Sequence, residues 1–190
     1  MPTKIHVRQA HPDDAETLLA VVRAIISEPG IDLPLTAEEF AYSVEEERKI
    51  LQDFATSANS VFLVVEVDGE LAGGLSCKGG TRKTTRHTTT LGVSLLKKHR
   101  GQGVGRALMT AAVDWARGTG IVKRIELSVY CRNEVAIHLY KTLGFEIEGR
   151  RRKSVFQDGE YLDEWTMALL LQGNESPTDP RRGGTANPTD

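Results

Sequence analysis

A glycine-rich loop between a predicted strand and a predicted helix constrains this chain more than any other segment. Residues 88–95 predict a β-strand, and residues 103–117 carry apolar side chains at helical spacing. Three alternating glycines, Gly101, Gly103 and Gly105, open that helix. Glycine lets the backbone approach a ligand closely, and the first N–H groups of a helix have no partner within it. Because such a helix end attracts phosphate, the segment predicts a site for a phosphorylated small molecule.

Three phosphate-binding patterns can be compared with this loop. A P-loop requires Lys and then Ser or Thr after its last glycine, whereas Gly105 is followed by Arg106 and Ala107. A dinucleotide fingerprint requires glycine where Arg106 stands and an acidic residue at the end of the next strand, whereas Glu126 lies near the start of its strand. The third pattern, Arg-x-x-Gly-x-Gly, begins at Arg100 and fits.

The rest of the chain predicts a single domain of helices and strands. The predicted order is strand, two helices, three strands, helix, strand, helix and two strands. The strands are predicted at residues 5–9, 61–67, 71–77, 88–95, 124–130, 145–156 and 161–170. The helices are predicted to begin at Pro12, Ser43, Gly103 and Asn133, and to end near residues 26, 58, 117 and 143.

Turn signals and the crossover helix predict which strands run parallel or antiparallel, and therefore the fold class. Asp68-Gly69 and Asp158-Gly159 predict tight hairpins, so the strands on either side of each run antiparallel. The helix after the glycine loop is a crossover, which makes the strands before and after it parallel. We therefore predict an α/β fold, with a mixed, mostly antiparallel central sheet of about seven strands and four helices.

Composition excludes several classes of protein. The chain has 190 residues, of which 39% are hydrophobic and 26% charged, and its formal net charge of −2 opposes nucleic-acid or membrane-surface binding. No apolar run approaches the roughly 20 residues that span a bilayer, and the first residues lack the apolar core of a secretory signal. Two cysteines make neither a disulfide framework nor a zinc site. We expect a cytoplasmic protein with one domain at residues 1–171 and a disordered polar tail at residues 172–190.

A second motif accompanies the glycine loop. Asn133, Ala136, Tyr140 and then Gly144-Phe145 follow the spacing N-x-x-A-x-x-x-Y-x-x-x-G-F. With the loop and the element order, residues 5–171 resemble the GNAT superfamily of acetyl-CoA-dependent N-acetyltransferases. The resemblance implies the acyl-CoA N-acyltransferase fold, acetyl-CoA as co-substrate and no metal. It also implies a small-molecule or peptide amine as acceptor, no nucleic-acid or membrane partner, and compatibility with a homodimer.

The resemblance assigns roles to the strand and the loop. In the family, the strand before the loop splays at a bulge and pairs with the pantetheine arm of the coenzyme, which implies this role for Val93 and Leu95. The N–H of Leu95 would face the thioester oxygen and stabilise the oxyanion, and Gly92 is consistent with an irregular strand. Arg100 and Arg106 either add positive charge for the phosphates or are merely solubilising. The pyrophosphate is expected to lie on the backbone of Gly101, Gln102, Gly103, Val104, Gly105 and Arg106.

The second motif is expected to complete the coenzyme site. Asn133 is a helix N-cap by its position, and the resemblance adds a hydrogen bond to the coenzyme arm. Ala136 would be small so that the coenzyme can pass closely. Tyr140 lies on the apolar face of the same helix, and the resemblance gives it the task of protonating the departing thiolate. A phenol with a pKa of about 10 is a suitable donor.

The acceptor side carries two carboxylate candidates. Residues 28–47 contain seven acidic side chains and neither Lys nor Arg, which is either a solvated helix face or a negative rim that attracts a protonated amine. Glu47 lies at the edge of the apolar stripe of its predicted helix. Glu126 faces the other side of the sheet from Ile125 and Leu127. Either glutamate can accept the amine proton, directly or through water.

The cost of deprotonating the amine distinguishes acceptor classes. A lysine-type amine, with a pKa of about 10.4, is neutral in about 0.04% of molecules at pH 7, which costs about 4–5 kcal/mol. An α-amino group, with a pKa of about 7.7–8, costs only about 1 kcal/mol. We therefore expect direct attack by an α-amine, such as an amino acid or a peptide N-terminus. A polyamine or lysine-type acceptor, or a non-catalytic coenzyme-binding module, is the alternative.

Overall fold

The computed structural model describes residues 3–171 and contains seven strands and four helices within that range. The strands are β1 (Ile5–Gln9), β2 (Val61–Val67), β3 (Glu70–Gly79), β4 (Thr88–Leu95), β5 (Arg124–Tyr130), β6 (Glu146–Gln157) and β7 (Glu160–Leu170). The helices are α1 (Ala15–Ile26), α2 (Val44–Thr56), α3 (Val104–Gly118) and α4 (Glu134–Thr142), with 3-10 turns at Pro12–Asp14 and Lys97–His99. The predicted fold class is confirmed.

The strands form one sheet in the order β1-β2-β3-β4-β5-β7-β6. The pairs β1–β2, β2–β3, β3–β4, β5–β7 and β6–β7 are antiparallel. Among the strands of residues 3–171, β4 and β5 alone pair in parallel, and α3 connects them. The sheet therefore consists of two antiparallel halves that join at a single parallel seam.

Local signals place the turns and helix starts where the sequence predicts them. Asp68 and Gly69 have φ values of 52° and 89°, and Asp158 and Gly159 have 52° and 82°. Positive φ at both central residues is the geometry of a type I′ hairpin. The Ser43 hydroxyl accepts from the Glu46 N–H at 3.2 Å, while the Glu46 carboxylate accepts from the Ser43 N–H at 2.8 Å, which completes the predicted capping box.

Two apolar clusters lie on opposite faces of the sheet. The larger one joins β1–β5 and β7 to α3 and α4, and includes Leu108, Ile125 and Phe145. The smaller one joins α1 and α2 to the other face through Leu18 and Leu51. Both helices of this smaller layer pack mainly over β2 and β3.

The smaller layer leaves part of the sheet uncovered. On the face beneath α1 and α2, Thr90 and Gly92 of β4 and Ser128 of β5 are exposed. Short, polar side chains therefore line an open floor beside the parallel seam. This floor is the side from which an acceptor can reach the seam.

The predicted strands at residues 5–9, 61–67, 88–95 and 124–130 match the structure, and the other predicted boundaries differ from it by no more than three residues. The second predicted helix ends at Thr56 rather than 58, because Ser57 already has an extended backbone. No helix within residues 3–171 is long and apolar enough to cross a membrane. The predicted tail at residues 172–190 lies outside the described residues.

Candidate active site

The parallel seam between β4 and β5 is only three residue pairs long. Thr88 pairs with Arg124, and the last pair joins Thr90 to Glu126. Beyond it, residues 91–95 pair with β3 alone, while β5 continues along β7. One edge of β4 is thus left without a strand partner. An extended ligand can occupy that edge as an additional strand.

The strands separate without the expected bulge. β4 stays in unbroken register with β3 from Thr89 to Leu95, and Gly92 pairs regularly with Ser76. Gly73 holds β3 against the end of β4, since a Cβ at this position would lie 2.3 Å from the carbonyl oxygen of Ser94. The expected bulge is therefore wrong, because the opening arises from β5 following β7 rather than from a distortion of β4.

The end of β4 packs against the starting turn of α3 and against α4. A Cβ placed on Gly105 of α3 would lie 3.5 Å from Leu95 and 3.6 Å from Leu139 of α4. These are ordinary contact distances, so α3, α4 and the end of β4 meet at Gly105. Packing between helices and a strand thereby fixes the gap between β4 and β5.

The start of α3 has the features required for a diphosphate. Gly101 and Gly103 have φ values of 73° and 82°, and an added Cβ at either position would meet nothing within 4 Å. No side chain caps the helix, and its first turn carries no acidic residue. The first intrahelical bond runs from Ala107 N–H to the Gly103 carbonyl at 3.0 Å. The preceding N–H groups of Val104, Gly105 and Arg106 are available to an anion, so the coenzyme pyrophosphate fits here.

The two loop arginines differ in their surroundings. The Arg100 guanidinium donates to the Leu95 carbonyl at 2.7 and 2.9 Å and also binds the Glu28 carboxylate. Its charge is therefore already used to hold the loop against β4. Arg106 is exposed and makes no side-chain hydrogen bond or ion pair within residues 3–171. Of the two predicted phosphate ligands, Arg106 is the one with a free charge.

The second motif lies on α4, directly after β5. The Asn133 side-chain oxygen accepts from the Ala136 N–H at 3.1 Å, which confirms the predicted cap. Its amide nitrogen makes no hydrogen bond to the described residues and can donate to a ligand. Tyr140 lies one helical turn beyond Ala136 on the same face and is 7% exposed. Burial raises the pKa of Tyr140 to about 12, so its hydroxyl stays protonated through the neutral range.

The two carboxylate candidates lie in different parts of the molecule. Glu126 is at the last pair of the seam, where its oxygens accept from Thr90 Oγ1 at 3.4 Å and from Arg124 Nε at 3.1 Å. Glu47 is 7% exposed on α2, and burial raises the pKa of its carboxyl above the ordinary value. Because α2 packs against α1 and β2, the structure brings Glu126 to the seam and keeps Glu47 over β2.

Several carboxylates of the acidic segment make internal contacts. Besides binding Arg100, Glu28 accepts the N–H of Lys97 at 2.7 Å. Asp32 pairs with Arg132 at 2.9 Å. Glu39, Glu45 and Glu46 accept from Thr36, Arg48 and Ser43 respectively. Three of the seven carboxylates are thus neutralised by arginines, whereas Glu38, Glu39, Glu46 and Glu47 have no cationic partner within residues 3–171.

Several site contacts could not be found by sequence reasoning. The Tyr130 hydroxyl donates to Gln157 Oε1 at 3.1 Å, and Gln157 Nε2 donates to the Ile31 carbonyl at 3.2 Å. Together with the pair of Asp32 and Arg132, these bonds fasten the segment between α1 and α2 to the ends of β5 and β6. In two of these pairs the partners lie roughly a hundred residues or more apart in the sequence, so no local pattern predicts the contacts.

Comparison with known proteins assigns the family. The chain matches the acetyltransferase (GNAT) family over residues 29–145, which include the glycine loop, the seam and α4. It is 36% identical over 108 residues to the L-amino acid N-acetyltransferase AaaT of Escherichia coli (strain K12), a match that covers 57% of this chain and 67% of that protein. The chain therefore belongs to the GNAT family and is an acetyl-CoA-dependent N-acyltransferase.

Solved structures agree with this assignment. An acetyltransferase of the GNAT family from Streptococcus pneumoniae superimposes with a TM-score of 0.85 at 30% identity, over 88% of this chain and 100% of that one. The structure of yncA from Salmonella typhimurium with its cofactor acetyl-CoA has the same fold, with a TM-score of 0.79 at 20% identity, over 93% of this chain and 99% of that one.

The glycine loop yields a prediction with a matched control. Gly103→Leu should weaken acetyl-CoA binding by at least about 10-fold, because the side chain occupies the space in front of the α3 N–H groups. Gly120→Leu is the control, since Gly120 also has a positive φ and open surroundings but lies after the other end of α3. Both variants should lose similar stability, of order 1–2 kcal/mol. Calorimetry giving equal acetyl-CoA affinities for the two variants would contradict the loop assignment.

Proposed function

We propose that this protein transfers the acetyl group of acetyl-CoA to an α-amino group by direct attack of the amine. The short seam supports this proposal most directly. It ends at Glu126 and leaves the edge of β4 free beside the start of α3, which has no side-chain cap. Membership of the GNAT family supplies the reaction type. The resemblance to an L-amino acid N-acetyltransferase supports the acceptor class.

The coenzyme side is formed by backbone and by small residues. Bound acetyl-CoA supplies an activated acetyl thioester, which is the electrophile of the reaction. The N–H groups at the start of α3 and the free charge of Arg106 hold its diphosphate, while Gln102 contributes only backbone. The unpaired edge of β4 at Val93 and Leu95 holds the pantetheine arm, and Asn133 donates to it from its free amide. The N–H of Leu95 stabilises negative charge that develops on the acetyl oxygen.

Tyr140 can donate a hydrogen bond to the departing sulfur of the coenzyme. Its raised pKa of about 12 keeps the hydroxyl protonated at every physiological pH. Full transfer to a thiolate of ordinary pKa, about 8.5, is uphill by roughly 3–4 pKa units, or about 5 kcal/mol. Tyr140 therefore acts chiefly as a hydrogen-bond donor that stabilises the departing sulfur as its negative charge develops.

Glu126 is the carboxylate best placed for the acceptor amine. It lies on the open floor of the sheet at the last pair of the seam, whereas Glu47 belongs to the layer over β2. Its ion pair with Arg124 fixes the orientation of the carboxylate. From this position it attracts the ammonium form of the acceptor. Because Leu95 lies roughly 16 Å further along β4 than Thr90, Glu126 accepts the proton of the reacting amine through intervening water rather than directly. Glu47 is a buried carboxylate of α2, which packs over β2 and not over the seam.

The energy of deprotonation and the charge distribution favour the same acceptor. With one carboxylate already paired to an arginine, the site offers no strong base, so an amine that loses its proton cheaply is preferred. Three carboxylates of residues 28–47 are neutralised by arginines, which reduces the attraction of this segment for a polyamine. The same catalytic groups also distinguish the proposal from a pure coenzyme-binding module, which needs no proton donor at Tyr140.

Turnover with different amines tests this proposal. Release of coenzyme A should be faster with L-amino acids than with spermidine by about 10-fold or more in kcat/KM at pH 7, because an α-amine loses its proton more easily than a lysine-type amine. The advantage is smaller for a free amino acid than the roughly 3 kcal/mol of a peptide N-terminus, since the adjacent carboxylate stabilises the ammonium form. N-acetylation is confirmed by mass spectrometry of the product. A higher kcat/KM for spermidine than for every α-amine would contradict the α-amino assignment.

The role of Tyr140 gives a second prediction. Tyr140→Phe keeps the ring that packs 5.9 Å from Phe145 and removes the hydroxyl. We expect kcat to fall by about 10²-fold, at the lower end of the usual range for loss of a proton donor, with acetyl-CoA affinity nearly unchanged. A variant with full kcat, under conditions where single-turnover kinetics show that chemistry limits the rate, would remove Tyr140 from the mechanism.

A further inference from the structure

A cleft of about 580 Å³ lies next to the seam, on the face that α1 and α2 leave open. Its volume is within the range of small-molecule sites, about 300–1,000 Å³. Glu126 and Thr90 form one end of it, and the segment between β3 and β4 forms the other. The cleft thus leads from the point where β4 and β5 part to a loop that the proposed reaction does not use.

This loop is held in a defined shape by Asn59. The Asn59 amide donates to the Gly80 carbonyl at 3.1 Å and to the Arg86 carbonyl at 2.9 Å, which ties the two ends of the loop together. A Cβ on Gly79 would lie 2.3 Å from the Asn59 amide, and one on Gly80 would lie 2.3 Å from the Thr85 carbonyl oxygen. Only glycine fits both positions without a backbone shift, so the wall of the cleft is a built structure.

The charges in the cleft are predominantly positive. Lys78, Arg82 and Arg124 line it, and Glu126 is the one acidic side chain that does so. Arg124 is already bound to Glu126 and Glu148. Lys78 and Arg82 are exposed and form no ion pair or side-chain hydrogen bond within residues 3–171. Two free cations therefore stand at one end of a cleft whose other end holds a carboxylate.

The strand register places these opposite charges in one row. Lys78 of β3 pairs with Thr90 of β4, and Thr90 pairs with Glu126 of β5. Paired residues share a face, so all three side chains line the cleft floor side by side. Neighbouring strands are about 4.8 Å apart, which puts the outer two Cα atoms roughly 10 Å from each other. A zwitterion can bind here with its ammonium towards Glu126 and its carboxylate towards Lys78.

We propose that Lys78 and Arg82 form a carboxylate-binding subsite that selects free α-amino acids as acceptors. This inference rests on the proposed transferase function. A polyamine would enter against two unneutralised cations, and a peptide N-terminus lacks the adjacent carboxylate. Neutralising that carboxylate also helps the reaction, because a nearby negative charge otherwise strengthens the hold of the α-amine on its proton.

The test compares each L-amino acid with its own amide, which lacks the carboxylate but keeps the amine and side chain. The wild-type enzyme should prefer the free acid in kcat/KM, although the amine of the amide loses its proton more easily. Lys78→Met combined with Arg82→Met keeps side-chain length and removes both charges. In this double variant, KM for the free acid should rise about 10- to 100-fold, the size of a lost charge-assisted hydrogen bond, while KM and kcat for the amide stay within about 3-fold.

Lys83→Met is the matched control, because Lys83 is an exposed cation of the same loop that does not line the cleft. Its KM values should equal those of the wild type. The subsite is overturned if the wild type uses amides or spermidine better than free acids, or if the double variant keeps its KM for the acid. If the underlying transferase function is wrong, no amine of either kind consumes acetyl-CoA, and that result overturns both proposals.

Discussion

β4 and β5 separate after the pair of Thr90 and Glu126, and this separation creates both the free backbone edge and the passage between the two faces of the sheet. A parallel pair of strands that stayed together would leave no free backbone edge and no passage between the two faces of the sheet. Here β4 remains bonded to β3 while β5 remains bonded to β7. Each strand keeps one complete ladder, so the opening costs only the hydrogen bonds of the missing seam. The site therefore consists of regular secondary structure rather than of a flexible loop.

Electrostatic contacts connect the two sides of this opening. Glu28, at the end of α1, binds both Arg100 and the N–H of Lys97, and Arg100 in turn holds the carbonyl of Leu95. The segment that leads from α1 towards α2 is thus fastened to the loop that precedes the coenzyme-binding glycines. At its other end, Asp32 binds Arg132 just before α4. Glu28 and Asp32, two of the seven acidic residues of this segment, thus position the walls of the site.

The sequence predicted the parts of the site that depend on local rules. The glycines of the α3 start, the cap at Asn133 and the hairpin turns are each determined within a few residues, and the structure has them where expected. The failures involve residues whose partners are distant. The bulge was expected from the family resemblance, with Gly92 as a consistent feature, whereas the opening arises because β5 pairs with β7 beyond the seam. The cleft walled by Asn59 and its loop was missed, because 21 and 27 residues separate this side chain from its two partners.

Hydrogen exchange measured at individual amides, with and without coenzyme A, shows whether the free edge of β4 and the start of α3 together hold the coenzyme. If they do, both segments gain protection when it binds. Exchange should slow within residues 91–95 and residues 101–106, and remain unchanged in β1 and β2. Protection confined to other segments, or no protection at a saturating concentration of coenzyme A, would contradict the account.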